Sequence, residues 1–141
     1  MHTNRISPAR KILAWLATAA GLALLSGCES VTLTNLTPPS MPENQSQIYA
    51  FSLRVTPRTN TIPKASIAPH IVVDGQSFEL KPSQLGEGLY DFEYQLPAGR
   101  DEVAYYFLVN YNVEGNSVLT PGEVYTDINH AKIVRRYVLS L

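Results

Sequence analysis

The chain has 141 residues, 45 % hydrophobic and 16 % charged, with a mean hydropathy of -0.06, the make-up of one ordinary globular domain. That balance excludes a disordered chain, a collagen and a multi-pass membrane protein. Eleven Lys and Arg face twelve Asp and Glu overall, but three of the basic residues precede Cys28, which leaves eight against twelve, net −4, on the rest. A mildly acidic remainder argues against a nucleic-acid or anionic-membrane surface, since both require basic patches.

Arg5, Arg10 and Lys11 precede an apolar run from Ile12 to Leu25 that also holds Trp15, the single Trp. The run is too short for a permanent helix across a bilayer core of about 30 Å, which needs about 20 residues, but it suits the h-region of a secretory signal. It ends in Leu25-Ser26-Gly27-Cys28, which resembles the lipobox of bacterial lipoproteins. An uncleaved anchor, or a cysteine that follows a signal by chance, is the alternative.

The lipoprotein resemblance implies that residues 1–27 are a cleaved signal peptide and that Cys28 carries lipid on its sulfur and its amino group. Several acyl chains anchor stably where one does so only marginally, at about 0.8 kcal/mol per buried CH₂. With Cys28 so used, no thiol is left for a disulfide, a thiolate metal site or a nucleophile. Glu29-Ser30 in place of Asp implies, by the same resemblance, the outer membrane of a two-membrane envelope, facing the periplasm or the surface.

Residues 28–46 read as a lipid-anchored tether rich in Pro, Thr and Ser, because Pro38, Pro39 and Pro42 fix extended backbone and remove donors. Val31-Thr32-Leu33-Thr34 alternates and reads equally as a short first strand. The domain is expected over 47–141.

From Ile48 to Thr56, Tyr49, Phe51, Leu53 and Val55 fall on one side, the mark of a half-buried strand. Pro57 and Pro63 bracket a polar loop. His70 to Val73 and Gln76 to Leu80 flank Asp74-Gly75, a pair that tolerates the positive φ of a type I′ hairpin turn. After the turn-rich KPSQLGEG, the run Leu89 to Leu96 alternates Tyr90, Phe92, Tyr94 and Leu96 with Asp91, Glu93 and Gln95. Pro97 to Arg100 turns the chain into Val103 to Val113. There Val103, Tyr105, Phe107, Val109, Tyr111 and Val113 share a face, and Ala104, Tyr106 and Leu108 make the other face apolar too, the pattern of a central strand. Glu114 to Ser117 and Thr120-Pro121-Gly122 read as turns, Glu123 to Ile128 as a short strand and Ile133 to Leu141 as the last strand, running to the C-terminus.

Turn punctuation every 8–12 residues predicts an all-β, immunoglobulin-like antiparallel β-sandwich of about seven strands, with a small closed barrel as the alternative. The stretch from Val72 to Tyr111 resembles the immunoglobulin-like early-set modules of bacterial proteins. The shared features are the Asp74-Gly75 hairpin, the lead-in Gly88-Leu89-Tyr90, the corner Leu96 to Gly99 and the Tyr105-Tyr106-Phe107 strand. The segment around Tyr105 also resembles the tyrosine corner, in which a hydroxyl bonds back to upstream backbone. The resemblance implies the fold and no activity.

Chemistry-bearing residues are sparse. His70 and His130 lie far apart, short of the three or four ligands of a zinc site. Asp127 and Asn129 have the spacing of a calcium turn or of an ordinary Asx turn. Asp91 and Glu93 share a strand face at about 7 Å, as paired carboxylates or as a solvated face. No catalytic residues, metal or cofactor are expected. Eight Tyr follow Cys28; Tyr90, Tyr94, Tyr105 and Tyr111 lie on core-facing patterns, and Tyr106 and Tyr125 are the better candidates for a ligand or partner surface. Arg135-Arg136 suits an edge that resists sheet-to-sheet pairing. The expected function is a lipid-anchored, non-catalytic interaction module of the cell envelope with a protein partner. Surface proteins with tandem immunoglobulin-like domains, including those with IPT/TIG repeats, have a comparable layout. A carbohydrate-binding module that uses exposed Tyr rings on a polysaccharide is the alternative.

Overall fold

Strict alternation makes the two inner strands of the sandwich, and the remaining elements are set by what those strands leave uncovered. The computed structural model describes residues 30–135. The expected signal peptide over residues 1–27, Cys28 and the final residues of the expected last strand lie outside them. Among the described residues the strands are β1 (Val31–Asn35), β2 (Ser40–Pro42), β3 (Ile48–Pro57), β4 (Ala68–Val73), β5 (Gln76–Glu79), β6 (Lys81–Pro82), β7 (Leu89–Gln95), β8 (Glu102–Gly115), β9 (Val118–Tyr125) and β10 (Asn129–Val134), with one 3₁₀ turn at Lys64–Ser66.

The smaller sheet has the order β1-β3-β7-β6 and the larger β2-β10-β8-β4-β5, with β9 paired beside β10 on the same flank of β8. In the lettering of immunoglobulin-like folds this is A-B-E-D against G-F-C. The protein is an all-β sandwich of that kind. Its ten strands exceed the expected seven because β1 and β2 form from residues read as a tether, one in each sheet, and because β6 is a two-residue addition. All pairs are antiparallel except β2 with β10, which is parallel.

Tyr49, Phe51, Leu53 and Val55 on β3, and Val103, Tyr105, Phe107 and Val109 on β8, are all buried and interleave between the sheets. Each full burial of this kind contributes about 1.5–3 kcal/mol. Phe51 meets Tyr105 edge-on at 4.8 Å, and Phe78 of β5 stacks on Phe92 of β7 at 5.1 Å, stapling the sheets at their flank. The Tyr105 hydroxyl accepts from Asn35 Nδ2 at 2.8 Å, across 70 residues, so its partner is a β1 side chain rather than the upstream backbone of a tyrosine corner.

Residues 30–46, expected as a tether, are part of the sandwich. Val31 and Met41 are core residues, and β1 pairs with β3 from Val31 opposite Pro57 to Asn35 opposite Leu53. The strand reading of Val31 to Thr34 holds, and the spacer reading is corrected. At Leu36 to Pro39 the chain crosses from one sheet to the other. The buried Thr37 makes the crossing: its N–H donates to Asn35 Oδ1 at 2.9 Å and its hydroxyl accepts from the Ser52 N–H at 3.0 Å. Pro39, read as linker, holds the crossing to the larger sheet, its carbonyl accepting from the Lys132 N–H at 2.9 Å.

Asp74 and Gly75 have φ of 52° and 77°, as a type I′ turn requires. Thr120-Pro121-Gly122, expected as a turn, lies inside β9. That strand pairs with β8 alone, so a proline nitrogen there faces no neighbour, and the Tyr111 ring lies directly over Gly122, where a Cβ would come within 2.5 Å.

The strands run between two ends of the sandwich. One end carries Ser30, the 57–67 loop, the 83–88 loop and the β8–β9 hairpin, joined by bonds from Arg58 N–H to Ser30 O and from Glu114 N–H to Thr61 O. The other carries the Asp74-Gly75 turn, the 96–101 turn and the start of β8.

Candidate interaction surface

Because β8 is apolar on both faces, its outer side leaves an apolar strip on the larger sheet. Tyr106 stands opposite Val72 of β4, and Leu108 stands between His70 of β4 and Tyr125 of β9. Tyr106 and Leu108 are half-buried, whereas Tyr125 is 64 % exposed.

The strip is extended by the break between β9 and β10. Thr126 N–H donates to Phe107 O, and the Thr126 hydroxyl, in place of a backbone carbonyl, accepts from Phe107 N–H at 3.0 Å. With the ladder closed by a side chain, Asp127 and Ile128 loop outward, and Asn129 Nδ2 holds the Asp127 carbonyl at 2.8 Å. Ile128 is left 67 % exposed beside Tyr125. Tyr106, Tyr125, Thr126, Asp127 and Ile128 line one shallow depression of about 360 Å³. Both Tyr residues singled out in the sequence thus meet at one place. Ile128, read there as the end of a strand, belongs to the same surface and was missed, because the break depends on a contact with β8 that no local pattern displays.

The other candidates are dispersed. His70 Nδ1 lies 3.1 Å from its neighbour Ala68 O, and His130 Nδ1 lies 3.0 Å from Glu102 Oε1 at an exposed site. Asp91 accepts from the Ser52 hydroxyl at 2.7 Å across the strand pair, which makes it a sheet contact, with Glu93 beside it on the same face. The calcium-turn spacing of Asp127 and Asn129 is taken up by the Asn129 amide bond to the Asp127 carbonyl. Among the described residues, no group of three or more His, Cys, Asp and Glu is placed to hold a metal ion.

Far from this surface, at the end opposite Ser30, Asp74, Arg100 and Tyr94 form a charged cluster. Arg100 grips both Asp74 oxygens, at 2.5 and 3.0 Å, and the Tyr94 hydroxyl donates to one of them at 3.1 Å. The guanidinium holds the Asp74 carboxyl below its ordinary value despite slight desolvation, and in turn the carboxylate raises Arg100. Partial burial, followed by the Asp74 carboxylate, raises Tyr94. A cleft of about 660 Å³ beside this cluster sets Glu43, Asp101 and Glu102 against Arg100, Lys132 and Arg135, with Arg135 Nε 3.7 Å from Glu43. Its charges offset one another and select no ligand of one sign.

Compared with known protein families, with curated proteins and with solved structures, the chain matches none.

Proposed function

We propose that the chain is a lipid-anchored, non-catalytic module of the bacterial cell envelope that holds a protein partner on the outer face of its larger sheet. The observation that carries the reading is the apolar surface of Val72, Tyr106, Leu108, Tyr125 and Ile128. Such contiguous apolar area on a small domain marks a contact site, and Tyr at its centre is typical of energetically dominant contact residues. The Leu25 to Cys28 motif supports the anchor and the outer-membrane or periplasmic location.

The test is a detergent pull-down of the intact protein from its own membranes, beside a Tyr125→Ser/Ile128→Ser form and a Cys28→Ala form. A stoichiometric protein lost from the double variant, whose fold circular dichroism shows to be unchanged, supports the reading. Equal recovery by the double variant refutes it. One observation favours polysaccharide as a second reading, namely that Tyr106 and Tyr125 share a depression, and retention of glycan without protein would select it.

A further inference from the structure

We propose that the end of the sandwich bearing Leu85, Val118 and Leu119 rests on the lipid bilayer, with these side chains in the acyl–headgroup boundary. The inference rests on the reading of Cys28 as the lipidated residue. Its own ground is geometric.

Ser30 is built into the fold: its carbonyl accepts from Arg58 N–H at 2.9 Å, and the next residue, Val31, is fully buried opposite Pro57. Only Glu29 separates Cys28 from Ser30, and the two Cα-to-Cα steps span at most about 7 Å. A lipid on Cys28 therefore brings the bilayer surface to the end of the sandwich that holds Ser30 and Pro57. A free tether over residues 28–46 would let the domain tumble at a distance, but Val31–Asn35 and Ser40–Pro42 are strands of the two sheets.

The same end displays the most exposed large aliphatic side chain of the described residues, Leu85 at 87 %, in the loop before β7. Val118 at 64 % and Leu119 at 59 % stand where the β8–β9 hairpin outruns the core. The two projections are tied into one platform. Gly88 O accepts from Val55 N–H of β3, Lys64 bridges to Glu87 of the Leu85 loop, and Asn112 and Glu114 of the hairpin bond to Ser66 and Thr61. Charge there is nearly balanced, with Arg54, Arg58 and Lys64 against Glu87 and Glu114. Apolar insertion rather than attraction to anionic lipid is then the driving contact, which accords with the acidic net charge.

The test uses the full chain in a Trp15→Phe background, so that one introduced indole reports alone. Leu119→Trp and Leu85→Trp forms, with Asp101→Trp at the opposite end as control, are purified in detergent. They are then reconstituted into phosphatidylcholine vesicles with and without brominated acyl chains, and mass spectrometry of the same preparations reads the state of Cys28. The expected result is an acylated Cys28, with a blue-shifted emission and loss of most intensity in brominated vesicles at positions 119 and 85 but not at 101. Acylated protein in which positions 119 and 85 are quenched no more than 101 overturns the inference and leaves the anchor standing. Protein that retains residues 1–27 and carries no acyl mass removes the anchor, and the inference with it.

Discussion

Gly75, Gly88 and Gly99 have almost the same left-handed backbone, with φ of 77°, 74° and 85°, but different surroundings. A Cβ at Gly75 or Gly99 meets nothing within 4 Å, whereas at Gly88 it lies 3.0 Å from the Val55 carbonyl oxygen. The two backbones cannot part freely there, because Val55 N–H donates to Gly88 O at 2.9 Å. Alanine in this conformation costs about 1–2 kcal/mol, and the stiffer unfolded chain returns about 0.4–1 kcal/mol, so Gly75→Ala and Gly99→Ala should each lose about 1 kcal/mol. The clash at Gly88 adds about 1–3 kcal/mol of overpacking, for a total of about 2–4 kcal/mol. At about 4–8 °C per kcal/mol for a domain near this size, thermal melts followed by far-UV circular dichroism should show Gly88→Ala falling about two to four times as far as the others. Three equal shifts would falsify the close approach of the Leu85 loop to β3, and with it the common platform at that end.

Replacing Asp74 by Asn keeps a residue that tolerates positive φ but removes the carboxylate held by Arg100. Because the folded carboxyl titrates below its ordinary value of about 4, its stabilisation is complete above that pH and is lost as pH falls through the folded value. The pair is well exposed, so urea midpoints at pH 6 should favour the wild type by only about 0.2–1 kcal/mol, and the gap should close in acid; a gap that widens on acidification refutes the assignment. Thr126→Val removes the oxygen that accepts from the Phe107 N–H and should cost about 1–3 kcal/mol. Thr126→Ser should recover most of that in thermal melts, and equal losses would show that the hydroxyl is not the partner.

Where one face is buried and the other wet, the sequence shows the fold openly. Tyr49 to Val55, Tyr90 to Leu96 and Val103 to Val113 alternate because each residue faces either the partner sheet or water, and Asp74-Gly75 announces its turn through backbone conformation alone. The opening strands are hidden. Only Val31, Thr37 and Met41 of the first segment are buried, and Thr37 enters the core through bonds to Ser52 that composition does not register. In β9, Pro121-Gly122 imitates a turn, but on an edge the proline loses no ladder bond, and the glycine leaves room for Tyr111. The interaction surface was half legible. Tyr106 and Tyr125 stood out as rings surplus to the core pattern, whereas Ile128 is exposed only because a Thr126 hydroxyl ends the ladder from a distance.

The two proposals constrain one another through the direction of the strands. β9 climbs from Val118, at the end assigned to lipid, to Tyr125, and seven residues of strand at about 3.3 Å each put Tyr125 roughly 23 Å from that end. The Tyr106, Tyr125 and Ile128 surface lies on the flank of the larger sheet, neither at the bilayer nor at the far tip. A domain seated on its Ser30 end would present this flank upright, perpendicular to the membrane, at a fixed height. On the two proposals together the partner would be met sideways, as a protein that itself stands within a few nanometres of the same membrane. A ligand arriving from across the envelope would instead first meet the charge-balanced cleft at the far end. The short link limits the orientations available to the domain, so less freedom is lost when the flank is covered. With an anchor at Cys28, building Val31–Asn35 and Ser40–Pro42 into the two sheets, rather than leaving them as a tether, would hold the flank at one height and one orientation for a neighbour in the same membrane.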